Sequence, residues 1–212
     1  MTEKRQFTPV QSRMEKYQTY RECMGRYSRA MRSGFFFEAL LIDYAMIEDR
    51  LRSFLWHAGA FNRWEDKTAF CKKAASRELK ALVEANWPGC PKAISLDKLS
   101  HKIGAVRAIA VWSSETPRNP DDSAYLNALR GQCESLDAAA LLSALRRLED
   151  WSKARNEIIH SLLNKQTHDV AERIESLACQ GMELARELDG QVAILKRGER
   201  VRKAAYLQAR RG

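Results

Sequence analysis

Glycine (10) and proline (5) are scarce in this chain of 212 residues. Turn-rich β architectures and low-complexity tracts need more of both. Long alternating runs of β-branched and aromatic residues are hard to find, so strands have little to be built from. The five cysteines, Cys23, Cys71, Cys90, Cys133 and Cys179, are odd in number and widely spread, with no CxxC pair. That argues against a disulfide framework and against a zinc site. No stretch approaches the ~18 uninterrupted apolar residues of a membrane span. The first residues, MTEKRQFTPVQ, lack the apolar core of a signal peptide. A reduced cytoplasmic protein without metal, cofactor or membrane partner is the expectation.

What is present is apolar and charged in helical proportions. Hydrophobic residues make up 45% of the chain and charged residues 30%, enough for a core and for solvated helix faces. The expected class is all-α, a bundle of about five or six helices. The net charge is +9, and it is unevenly placed. Residues 1–32 carry eight Lys/Arg against three acids, and residues 196–212 carry seven against one. The middle is therefore close to neutral. Three segments follow: a basic N-terminal helical extension (1–32), a helical domain (33–190) and a basic C-terminal helix and tail (191–212). Basic ends suit phosphate backbones or anionic surfaces, and equally suit plain solvated helix ends.

Residues 12–32 are helix-compatible, with a break at Ser33-Gly34. In FFFEALLIDYAMIEDRLRSFLWHAG the residues Phe37, Leu40, Leu41, Tyr44, Ile47, Leu51, Phe54 and Leu55 recur at three- and four-residue steps. That is an amphipathic helix, and Gly59 is a fitting stop. Helical patterns continue over 65–86, from Ser95 (a possible N-cap) to about Val111, over 123–131, over 136–163 and over 168–188. A basic terminal helix follows at 190–210. Trp87-Pro-Gly-Cys-Pro91 reads as a turn, and Ser113–Ser123, with two prolines, as a polar loop.

Within the 136–163 pattern lies ARNEIIHSL (154–162). Ala144, Leu148, Trp151, Arg155, Ile158 and Leu162 form one stripe, which places a guanidinium among apolar side chains. A charge there needs a partner or a wet cleft. One turn around, Ser152, Asn156, His160 and Asn164 recur at steps of four. Arg155 and His160 are about 140° apart on an ideal helix, so they do not point together, although both could still border one groove, especially one shared with a second subunit. The spacing alone is weak evidence, because Arg52-Ser-Phe-Leu-Trp-His57 repeats it. His57, at a helix end beside Gly59, suits contact with the helix dipole. His101 and His168 read as surface residues.

Arg155-Asn156-x-x-x-His160 on a late helix, after an early helix of the FFFEALLIDYAMIEDRLRSFL type, resembles the HEPN (higher eukaryotes and prokaryotes nucleotide-binding) domain over roughly residues 33–190. The resemblance implies a HEPN-like helical bundle that pairs into a homodimer, with the two Arg–His motifs meeting at a shared cleft. Many such domains are metal-independent RNases of toxin–antitoxin or antiviral defence systems, with an antitoxin or defence protein as partner. Others are non-catalytic scaffolds. The implied roles are His160 as general acid/base, Arg155 on the scissile phosphate and Asn156 assisting. Ser152, Glu48 and Asp43 are supporting candidates, the two acids because a buried Arg155 needs a carboxylate or a phosphate. Some family toxins carry a modifiable Tyr two residues after the His, where this chain has Leu162.

The residue types suit the chemistry. RNA supplies its own 2′-OH nucleophile. Histidine exchanges protons near neutral pH, and arginine offers a planar, permanently charged fork to phosphate oxygens. Two other readings stand beside the ribonuclease: a helical interaction protein, and a nucleic-acid binder acting through its basic ends.

Overall fold

The computed structural model describes residues 13–61, 69–70, 74–161 and 167–209. Seven helices and no strands occur among the described residues: α1 (Arg13–Arg32), α2 (Phe36–Ala58), α3 (Ala74–Ala85), α4 (Leu99–Glu115), α5 (Ala124–Cys133), α6 (Ala138–Ser161) and α7 (Thr167–Ala209). The all-α class read from the sequence is observed. None of these helices is long and apolar enough to cross a membrane.

The core forms because the periodic apolar stripes face one another. Leu40, Ile47, Leu51, Phe54 and Leu55 of α2 meet Ile103, Val106 and Ile109 of α4, Leu141, Leu145, Leu148 and Trp151 of α6, and Leu177, Leu184, Leu188 and Leu195 of α7. All of these side chains are buried. α7, 43 residues long, is the spine, and α2, α5 and α6 pack along it. Gly104 permits one close approach. A Cβ there would lie 2.1 Å from the Trp87 ring, so only a glycine lets that indole cover α4.

Element ends follow capping chemistry. Gly59 closes α2 at φ 106°, its N–H reaching the carbonyls of Leu55 and Trp56, as expected of a left-handed C-terminal glycine. Ser123 caps α5, its Oγ accepting the Leu126 N–H at 3.2 Å. The buried Arg130 fastens the end of α4, donating to the carbonyls of Trp112 (3.3 Å) and Thr116 (2.8 Å).

Three boundaries differ from the sequence reading. Ser95 is not an N-cap. It begins a turn in which the Lys98 N–H reaches its carbonyl at 3.1 Å, and α4 starts at Leu99. Ser113 and Ser114 belong to α4 rather than to the loop, since both hydroxyls donate to the Ala110 carbonyl. The helix stops where Thr116 precedes Pro117 and turns extended. The helices expected at 168–188 and 190–210 are one. Gly190 costs about 1 kcal/mol in a helix interior, but Leu188, Val192 and Leu195 around it are buried and carry α7 through. The 190/191 boundary therefore falls inside α7. Most of the first half of the helix expected over 65–86 lies outside the described residues.

α1 is held by a small apolar contact of Ala30 with Ala39 and Ala178, and by polar contacts. Lys16 Nζ lies 3.0 Å from Asp49, the Tyr20 hydroxyl donates to the same carboxylate, and the Arg50 guanidinium stacks 4.1 Å from the Tyr20 ring centroid. Further along, the Tyr27 hydroxyl donates to the Ala178 carbonyl of α7 at 3.2 Å.

Candidate functional site

Arg155, Asn156 and His160 sit on the last two turns of α6. The stripe beneath them is buried: Ala144, Leu148, Trp151 and Ile158 are each 2% exposed or less. Arg155 stands at the edge of this stripe, half-buried. Its guanidinium carbon lies 4.1 Å from the centroid of the Tyr44 ring on α2. Its Nη2 donates to Asn156 Oδ1 at 2.7 Å, and its buried Nε has no hydrogen-bond partner among the described residues. Stacking on an aromatic face steadies a guanidinium without neutralising it. Most of the fork is therefore unspent, and no carboxylate forms an ion pair with it among the described residues. Burial raises the Tyr44 hydroxyl above its usual range, with Glu48 adding to the rise and Arg155 opposing it. The ring thus stays a neutral platform.

His160 is exposed, one turn beyond Asn156, and makes no hydrogen bond among the described residues. Ser152 lies one turn before Asn156, half-buried. Leu162 and Asn164 lie outside the described residues.

The two acidic candidates are placed elsewhere. Glu48 accepts from the buried Lys102 of α4 at 2.5 Å. Asp43 is fully buried and faces α7, where a Cβ on Gly181 would come within 2.8 Å of its own Cβ. Neither bonds Arg155. The requirement for a carboxylate or a phosphate is left, on the protein side, to the Tyr44 face and the Asn156 amide. Tyr44 is the member that sequence reasoning did not single out. It was visible as an apolar position of α2, but pairing between helices is not written in either helix alone.

The other histidines do structural work. His57 is buried and its Nδ1 lies 2.7 Å from Glu199 of α7, a tertiary partner in addition to the helix end. Burial lowers its pKa, and the Glu199 contact opposes this. His101, expected on the surface, is half-buried and accepts the Ser95 N–H at 2.9 Å, fixing the turn before α4. The His168 side chain, also expected on the surface, lies outside the described residues. No cluster of His, Cys, Asp and Glu suited to a metal ion occurs among the described residues. A shallow cleft between α6 and α7, lined by Arg147, Trp151, Leu177 and Glu183 among others, does not include Arg155.

No family model, no curated protein and no solved structure matches the chain.

Proposed function

We propose that the chain is a metal-independent endoribonuclease of the HEPN type, acting on single-stranded RNA at a cleft between two copies. The observation that carries this reading is the Arg155 guanidinium, held over Tyr44 with no carboxylate partner among the described residues, on the same end of α6 as the exposed His160 imidazole. A cation with free donors at a partly desolvated site is a receptor for a phosphate group.

In the proposed reaction the RNA 2′-oxygen attacks the adjacent phosphorus and the 5′-oxygen leaves. One imidazole accepts the 2′-OH proton and a second returns a proton to the departing oxygen. A single chain offers one His160, so the second comes from another copy. Arg155 carries the charge that builds on the non-bridging oxygens, with Asn156 holding its Nη2. The surface around the site suits such pairing. Phe37 and Leu41 lie on the Tyr44 side of α2, 37% and 47% exposed, and Phe35 just before the helix is 64% exposed. Apolar side chains gathered beside a polar site favour association. A role in toxin–antitoxin or defence systems, with a matching protein partner, goes with this reading.

A non-catalytic binding module is the second reading. It is favoured by the absence, among the described residues, of any bond that would orient His160.

Replacement of Arg155 separates them. Arg155→Ala should lower the rate of RNA cleavage in EDTA by ~10²–10³, the scale of removing one transition-state anion donor. Arg155→Lys should restore little, because lysine lacks the planar fork that stacks and bonds at once. Cleavage at the wild-type rate by Arg155→Ala would remove the assignment. No cleavage by wild type would favour the binding module.

A further inference from the structure

The last five turns of α7 hold a second feature, distant from Arg155. Their inner side is bound into the fold. Val192 and Leu195 are buried, and the Gln132 amide of α5 donates to the Leu195 carbonyl at 2.7 Å. Gln132 also accepts from Arg202 Nε at 2.6 Å, and Arg202 donates to the His57 carbonyl at 3.1 Å. Arg202 is thus an internal strut, 6% exposed.

Glu199 is the one acid between Gln191 and Gly212. It turns inward to His57 at 2.7 Å and is also bonded by Lys203 at 2.6 Å. Lys196, Arg197 and Arg200 remain on the outer side, exposed and without an ion pair among the described residues. At 100° per residue, Lys196, Arg200 and Lys203 fall within about 60° of one another and Arg197 borders them. Ala193 and Ala204 flank them on that side, and the exposed Leu207 lies between Lys196 and Arg200 around the helix, further toward its end.

The basic C-terminal end is thereby resolved into one outward-facing cationic face of α7. We propose that this face of α7 binds the phosphate backbone of RNA. Charge complementarity selects a polyanion, because the local acid is already engaged inward. A lipid surface fits less well. An interfacial helix needs a free apolar side, and here that side is packed against α5. The exposed apolar residues of this stretch, Val201 and Leu207, stand about 120° apart around the helix.

The antiparallel pairs Arg173–Glu157 and Arg147–Glu187 mark the register of α6 on α7. By that register the basic face lies roughly 30–40 Å along α7 from the level of Arg155. It is a separate platform, able to hold a strand whose other part reaches the α6 site. The choice of RNA over DNA rests on the ribonuclease reading, whereas the binding face itself does not.

The test reads binding rather than cleavage, so the two ideas fail separately. The full chain carrying His160→Ala is titrated by fluorescence anisotropy with a labelled single-stranded RNA, its DNA equivalent and phosphatidylserine-containing vesicles over a salt series. The same is done after adding Lys196→Gln, Arg197→Gln and Arg200→Gln. Expected is RNA binding whose log–log salt slope shrinks by about 2 on the triple substitution, as three lost phosphate contacts require. RNA affinity should fall at least tenfold at low salt, and vesicle binding should be absent. Unchanged RNA affinity and slope in the triple variant would overturn the platform. Equal binding of DNA would overturn the preference for RNA, and vesicle binding that the triple substitution abolishes would overturn the choice of partner. All three side chains are exposed, so the helix content of the variant should match wild type by circular dichroism.

Discussion

Asp43→Asn is expected to stabilise the folded chain at pH 7, by on the order of 3 kcal/mol. The carboxyl of Asp43 is fully buried at the α2–α7 crossing, and both of its oxygens lack hydrogen-bond partners among the described residues. Burial pushes its pKa up to about 8 from an ordinary 3.8, with the Arg186 charge opposing more weakly. The unfolded chain therefore releases this proton from about pH 4 upward, while the folded chain keeps it until about pH 8. Over that window the folded state binds more protons, so this carboxyl makes stability fall as pH rises. Above the folded value both states are ionised and the deficit is constant. The amide of D43N keeps the shape and has no such titration. Urea unfolding followed by tryptophan emission at pH 5, 7 and 9 measures this. The advantage of D43N should widen from pH 5 to pH 9. A constant or narrowing advantage would mean that the folded state holds this carboxyl ionised.

The same residue shows why an acidic neighbour on α2 was a poor guide to the partner of Arg155. Asp43 and Tyr44 are adjacent in sequence, yet they lie 100° apart around the helix. Tyr44 meets Arg155 of α6, and Asp43 is turned to Gly181 of α7.

His160→Ala is expected to reduce RNA cleavage by ~10²–10⁴, the range of general acid–base contributions. The side chain is exposed and holds no contact in the described core, so stability should change little. That combination, a large kinetic loss with an unmoved unfolding curve, distinguishes a proton-transfer group from a structural one. His57→Ala should behave oppositely. It removes the buried contact to Glu199, and so should lower stability. The comparison is useful because Arg52–His57 repeats the Arg155–His160 spacing. Spacing does not separate the two motifs, but burial does.

Much of the fold was legible in single helices. The three- and four-residue periodicity of α2 and its glycine stop predicted an element that ends where expected. The break expected near Gly190 failed for a physical reason: a glycine's local cost is small against the burial of Leu188, Val192 and Leu195 around it. Ser113 and Ser114 read as loop by residue type, yet their hydroxyls bond back to α4. In the site, the polar residue in an apolar stripe was legible, because Leu148, Trp151 and Ile158 define the stripe without reference to other helices. The Tyr44 platform, the Glu48–Lys102 pair and the inward turn of Glu199 were not. Each joins residues more than fifty positions apart, or depends on which way one helix face is turned in the bundle.

The chemistry of the RNA ends bears most directly on the proposed activity. Purified wild-type protein is incubated with single-stranded RNA in EDTA, and the 3′ ends of the products are identified by mass spectrometry. The expected products carry 2′,3′-cyclic phosphates and do not form with His160→Ala. Products with 3′-hydroxyl ends, cleavage that needs a divalent metal, or full-rate cleavage by His160→Ala would contradict it.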